Sequence, residues 1–269
     1  MLYGLSNLLF ILLYYVFKYR RKVTQANLRN SFPLKSNQEL ALIEKRFYKH
    51  LVDVMLETLK LLTMSKTSLV SRVQFSGIDV VTQLQHQQKG FIIVLGHMGN
   101  WEWSGQAYAA KNFGAIQGLY HPLSNGFFNW MMIKLRTRFG LHLIPMNSVL
   151  RELTVNRNKI GATAFIADQT PTPDSAYWVD FLNQKTAVFM GTEKIARKFR
   201  YPVVYASCRK PKRGHYLIKF ELITSTPERM PEGWLTAEHT KRLENDIQVQ
   251  PEIWLWSHRR WKHSYPTSK

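Results

Sequence analysis

The chain reads as an α/β protein, with a mostly parallel central sheet flanked by helices and an N-terminal helix suited to a membrane. Three observations carry this reading. The run Phe91-Ile92-Ile93-Val94-Leu95 is apolar throughout and rich in β-branched residues, as in a strand buried on both faces. Further strand-like runs at 115–120, 141–145, 161–168 and 202–209 alternate with helical stretches, the pattern of parallel strands joined by crossover helices. Residues 1–17 carry no charge, and Lys18, Arg20, Arg21 and Lys22 follow at once.

Taken in order, residues 1–22 form a hydrophobic segment with a basic flank, and 23–269 form one domain without repeat or linker. A secretory signal places its positive charges ahead of the apolar run, so this segment is a poor one. It is also shorter than the roughly 20 residues of a spanning helix. An interfacial anchor, one end of a longer apolar segment and a buried core helix all stay open. The basic flank places the domain on the cytoplasmic side. Residues 27–33 read as a polar connector. Ser36 with Glu39 forms a capping box for a helix whose stripe is Leu40, Ile43, Phe47, Leu51, Met55, Leu59 and Leu62, read as core packing rather than a second membrane contact.

A short helix over 77–88 precedes the central strand, and helical spacing resumes over 101–111. Ser124 is the expected cap of a helix ending at Gly140, and helices are expected at 148–158 and 191–200. Residues 216–224 follow Pro211-Lys212-Arg213-Gly214 and predict an antiparallel hairpin with the strand before them. Residues 238–250 close the series as an amphipathic helix.

With 37 basic against 18 acidic residues, the net charge of +19 favours an anionic partner: nucleic acid, membrane surface or acidic protein. No acid lies between Glu193 and Glu221, a span holding nine Lys or Arg, which suggests a docking surface. Cys208 is the single cysteine, so neither an intrachain disulfide nor a Cys-based zinc site can form.

The chemistry centres on Gly96-His97-Met98-Gly99-Asn100-Trp101-Glu102, at the exit of the central strand. On one helix, residues five apart diverge by about 140°. Across a strand–loop–helix junction, His97 and Glu102 can face each other, and a carboxylate on one imidazole nitrogen leaves the other as a base. A buried, satisfied histidine is the competing reading. No Gly-x-Ser-x-Gly elbow, phosphate-binding loop, dinucleotide fingerprint or His-Glu-x-x-His occurs.

The histidine, four residues and acid after a buried strand resemble the glycerolipid and lipid A acyltransferases. The text Gly-His-Met-Gly-Asn-Trp-Glu resembles the late acyltransferases of lipid A biosynthesis, the lauroyl/myristoyl transferase family. Ile166-Ala167-Asp168-Gln169 and the segment from Pro251 to Lys262 resemble two further signatures of that family. The resemblance implies a glycerolipid-acyltransferase-like fold at the cytoplasmic face of the bacterial inner membrane. It implies direct transfer from an acyl thioester, acyl carrier protein or acyl-CoA, to a lipid hydroxyl, with no other cofactor and no metal. His97 is then the general base and Glu102 its orienting acid. Asn100, the first backbone N–H groups of the following helix and Arg136 are oxyanion donors in principle, and Arg136 matches a family arginine. His121 stands where relatives often carry arginine, which leaves the anionic acceptor open. Asp168 and Gln169, at a strand's carboxyl end, are expected to shape the acceptor site. Lipid A precursor, lysophospholipid and aminolipid acceptors stay open.

Three tryptophans interleaved with His258, Arg259 and Arg260 suit a membrane interface, single-stranded nucleic acid or a core-closing segment alike. A basic nucleic-acid-binding protein with a structural His97–Glu102 pair is therefore the rival from another class, and a hydrolase using the same dyad is a third.

Overall fold

The computed structural model describes residues 2–87, 90–156, 161–172 and 176–265. The expected helix ends at Gln88 and Asn158 lie outside them. Helix α1 (Leu2–Ile11) continues through a π-helical turn, Leu12–Val16, and after a bend of 87° comes α2 (Arg21–Ser31). Among the described residues no single helix is long and apolar enough to cross a membrane. The polar connector expected at 27–33 is thus largely helix. Thr24, Asn27, Leu28 and Ser31 form its buried stripe, and Asn27 Nδ2 donates to the carbonyls of Trp256 and His258 at 2.9 and 3.0 Å. Tertiary hydrogen bonds override the polar composition here.

The capping box opens α3 (Asn37–Lys60) as expected, with Ser36 Oγ accepting from the Glu39 N–H and the Glu39 carboxylate accepting from the Ser36 N–H. Its stripe is only half a core stripe. Ile43 and Phe47 are buried, whereas Met55, Leu59 and Leu62 are exposed. The inward positions go to His50, Asp53 and Glu57, which tie α3 to its neighbours. Ser6 donates to Asp53 at 2.6 Å and Tyr3 to Glu57 at 2.8 Å, so α1 lies along α3. The outer face of the N-terminal segment, with Leu8, Ile11, Val16 and Phe17, stays exposed.

The rest follows as α4 (Lys66–Arg72), β1 (Val73–Ser76), α5 (Ile78–His86), β2 (Gly90–Leu95), α6 (Trp101–Ala110), β3 (Ile116–Tyr120), α7 (Gly126–Thr137), β4 (His142–Pro145), α8 (Val149–Val155), β5 (Gly161–Ile166), β6 (Ala176–Phe181), β7 (Gln184–Phe189), α9 (Gly191–Phe199), β8 (Val203–Lys212), β9 (His215–Thr224) and α10 (Trp234–Val249). Seven strands form one sheet in the order β1-β9-β8-β2-β5-β3-β4. Every pair in it is parallel except β8–β9, the expected hairpin. Strand β2 is buried on both sides. Phe91 and Ile93 join one core with Val81, Trp103 and Tyr108, while Ile92 and Val94 join another with Leu153, Ile195 and Leu235.

The sequence reading lacks α4, β1 and the β6–β7 hairpin. That hairpin turns on Leu182 and Asn183, both with φ near +50 to +60°. A leucine there is a poor turn signal. Its conformation is supported by burial of its side chain and by its N–H donating to Glu244 at 2.9 Å. Helix α7 is capped by Asn125, whose Oδ1 accepts from the Phe128 N–H, rather than by Ser124.

Candidate active site

Beyond Leu95 the chain turns through Gly96 to Gly99 before α6 begins. Gly99 has φ +60°, and a side chain on it would run into Cys208 Sγ, so glycine is required on both counts. The turn is tied from two sides: Gly99 N–H donates to the Ile253 carbonyl at 2.9 Å, and a His50 ring nitrogen lies 3.2 Å from the Gly99 carbonyl. His97 is thereby presented at the carboxyl end of β2, where open α/β sheets bind ligands.

Strand β5 runs beside β2, with Ile166 opposite Leu95, and Asp168 follows its end. Asp168 Oδ1 lies 2.5 Å from His97 Nδ1, while Oδ2 accepts from the His97 N–H and from Trp254 Nε1, each at 2.8 Å. Burial disfavours its charge, but the His97 ring and these hydrogen bonds outweigh burial and hold the carboxyl well below the usual carboxylate range. An ionised carboxylate only accepts, so Nδ1 carries a ring proton, and in the neutral ring the lone pair is left to Nε2. Nε2 has no protein partner among the described residues, and the side chain is 13% exposed. Trp101 packs edge-on against the ring, centroids 4.9 Å apart.

Glu102 is therefore not the acid on His97. Both its oxygens accept from Arg136, Oε2 from Nε at 2.9 Å and Oε1 from Nη2 at 2.5 Å. The first turn of α6 points this carboxylate toward α7, and five residues of spacing could not reveal that. Asn100 is also redirected. It is fully buried, its Oδ1 caps α6 at the Trp103 N–H, and its Nδ2 donates to Glu57 at 2.8 Å, so it is no oxyanion donor. Asp168, expected to shape the acceptor site, instead orients the histidine. Gln169 is exposed beside it. His121 is exposed after β3, its Nδ1 3.0 Å from the Pro122 carbonyl. The N–H groups of Trp101 and Glu102, at the start of α6, have no protein partner among the described residues.

The reading from sequence missed Trp254 as the third donor to Asp168. Its signal was the C-terminal motif itself, whose role the structure decides. Trp254 and Trp256 are buried, and Trp254 packs on Phe181, Trp256 and Trp261. This is the core-closing reading, and the rings of Trp254 and Trp256 are unavailable to nucleic acid or lipid. Also missed was Glu57, buried beneath the loop, where it accepts from Tyr3, Asn100 and Tyr216. Cys208 is buried and its thiol is pushed up to about 12 by burial, so it is no nucleophile. Of the nine cations in the acid-free stretch, Arg209 pairs with Asp246, Lys210 and Arg213 with Asp53, and Lys219 with Glu221. An apolar cavity of about 50 Å³ opens against Gly96 and Met98 and continues between Phe75, Ile116, Ala164 and Phe220.

Residues 2–263 match the family described as bacterial lipid A biosynthesis acyltransferase. The chain is 24% identical over 251 residues to the lipid A biosynthesis lauroyltransferase of Escherichia coli (strain K12), covering 91% of this chain and 80% of that protein. It is 24% identical over 249 residues to the palmitoleoyltransferase of the same organism, covering 91% and 79%. A lipid A biosynthesis acyltransferase of Haemophilus influenzae is 20% identical over 243 residues, covering 89% and 74%.

Proposed function

The chain belongs to the bacterial lipid A biosynthesis acyltransferases, and from that premise and the geometry of its site we propose that it moves a fatty acyl chain from a thioester to a lipid hydroxyl with His97 as the general base. The observation that carries this is the Asp168–His97 pair, a fixed tautomer with Nε2 open at the carboxyl end of the sheet. Nε2 takes the proton of the acceptor hydroxyl as its oxygen attacks the thioester carbonyl. Asp168 stabilises the imidazolium that forms, and collapse of the tetrahedral species expels the thiolate, which receives that proton. Donors for the oxyanion are the N–H groups of Trp101 and Glu102 and the guanidinium of Arg136, which Glu102 holds in place. The cavity beside Gly96 and Met98 takes the start of the acyl chain.

The donor is an acidic acyl carrier protein or acyl-CoA, the acceptor is an anionic lipid A precursor or related glycolipid, and no further cofactor is needed. The N-terminal segment holds the domain at the cytoplasmic face of the inner membrane through its exposed apolar face. Purified His97→Ala protein, assayed with acyl thioester and lipid acceptor, is expected to lose about 10²–10⁴-fold in rate. Near-normal turnover by a folded His97→Ala variant would overturn the mechanism.

A further inference from the structure

The first turns of α7 expose a cluster of large aromatic rings. Phe127 is 64% exposed, Phe128 52% and Trp130 56%. The rings pack on one another, Phe127 against both Phe128 and Trp130, and the Lys134 ammonium sits 5.1 Å from the Trp130 centroid. Phe127, Trp130, Lys134 and Thr137 lie on one helical face, while Leu135 on the opposite side is buried. The helix thus satisfies its core contacts and still presents large rings outward.

Topology places this cluster at the same end of the molecule as His97. Strands β2, β3, β4 and β5 are parallel, and Tyr120 pairs with Pro145 at the ends of β3 and β4. Leu123, half-exposed, leads from the end of β3 into α7, and exposed Met146 leaves the end of β4. His97 and Asp168 leave the same ends of β2 and β5. A cation accompanies the rings: Lys134 is exposed against Trp130, and α7 carries no acid. Aromatic rings beside a cation, with Trp and Lys at the margin, match the headgroup region of an anionic bilayer.

We propose that the tip of α7 inserts into an anionic membrane, a second contact separate from the N-terminal segment, and so sets the mouth of the site against the lipid surface. From Phe127 to Arg136 the helix rises roughly 14 Å, so one helix carries the membrane contact at its start and the Glu102 clamp near its end. The inference rests on the membrane placement argued above, and its test separates the two.

Because Cys208 is buried with its thiol pushed up to about 12, an introduced surface cysteine takes a thiol-reactive fluorophore selectively. Full-length Phe127→Cys, Val16→Cys and Asp79→Cys proteins are labelled with an environment-sensitive dye. Val16 samples the N-terminal segment, and Asp79 follows β1, whose carboxyl end is at the amino end of β2. On vesicles containing phosphatidylglycerol, the dye at 127 is expected to shift to the blue and be quenched by lipid-attached quenchers, and the dye at 79 to do neither. Replacing Phe127, Phe128 and Trp130 by Ser should raise the lipid concentration for half-maximal turnover about tenfold or more with vesicle-borne acceptor, since burying one large apolar side chain is worth a factor of ten or more. Turnover with detergent-dispersed acceptor should be unchanged. A response at 16 without one at 127 overturns the proposal and leaves the membrane placement standing. Silence at both positions overturns both. A response at 127 to acyl carrier protein but not to vesicles assigns the surface to the protein donor and overturns the proposal.

Discussion

On one side His97 is held by Asp168, itself buried and tied by Trp254 and the His97 backbone; at the start of α6, Glu102 and Arg136 form an ion pair in which the Arg136 side chain is 27% exposed. Both arrangements pair a carboxylate with a nitrogen group at about 2.5 Å. They differ in what surrounds the pair. On the buried side the carboxylate has three protein donors, which fix its charge and orientation. The Glu102–Arg136 pair is less enclosed and is partly screened by solvent. The lesson is that the acid nearest His97 in the chain is not the acid that holds it.

The largest test of this contrast is Asp168→Ala. Without the carboxylate the ring loses its tautomer and its stabilising charge, and turnover should fall about 10²–10⁴-fold, close to the loss for His97→Ala. Initial rates of the two single variants and the double variant check this. If the double is no worse than either single, the two residues act as one unit. A turnover within a few-fold of wild type in Asp168→Ala would move the orienting role elsewhere.

The less enclosed side should respond less and as a pair. Glu102→Gln leaves Arg136 without its partner, and Arg136→Gln strands Glu102. A double-mutant cycle read in kcat/KM is expected to show coupling of about 0.5–3 kcal/mol, and the pH profile of His97-dependent turnover should keep its shape. A pH profile moved by Glu102→Gln would show that this acid touches the ring after all.

Acid pH should discriminate through stability. His239 lies against the same small buried cavity as Asp168, and burial lowers its pKa from 6.5 to about 4. The folded state keeps it neutral where the unfolded chain would protonate it. Its contribution is therefore full above pH 6.5 and is lost as pH falls toward 4. His239→Leu should make the fall in denaturant stability between pH 6.5 and 4 shallower, by on the order of 3 kcal/mol at most. Equal slopes in both proteins would show that the buried side carries no such proton linkage.

Much of the fold was legible because periodicity and charge report local choices. The apolar run of β2, the capping box at Ser36 and Glu39, the β8–β9 hairpin and the alternation of strands with helices all follow from residues close in sequence. The position of His97 at a strand exit belongs with these, since Gly96 and Gly99 mark the turn on their own. Which groups meet there does not. Asp168 reaches His97 because β5 lies beside β2, a pairing across 71 residues, and Trp254 arrives from the far end of the chain. Asn100 and Glu102 were the natural candidates by spacing, yet Glu57 and Arg136, from α3 and α7, took their hydrogen bonds. The same holds for the two aromatic-rich stretches: Trp254 and Trp256 lie inside and the rings at the start of α7 outside. Composition cannot tell these apart, because burial depends on what the rest of the chain packs against each stretch. Sequence alone determined most element types and the place of His97 at a strand exit, which depend on local propensity; tertiary structure decided the partners, since hydrogen bonds and burial depend on distance in space.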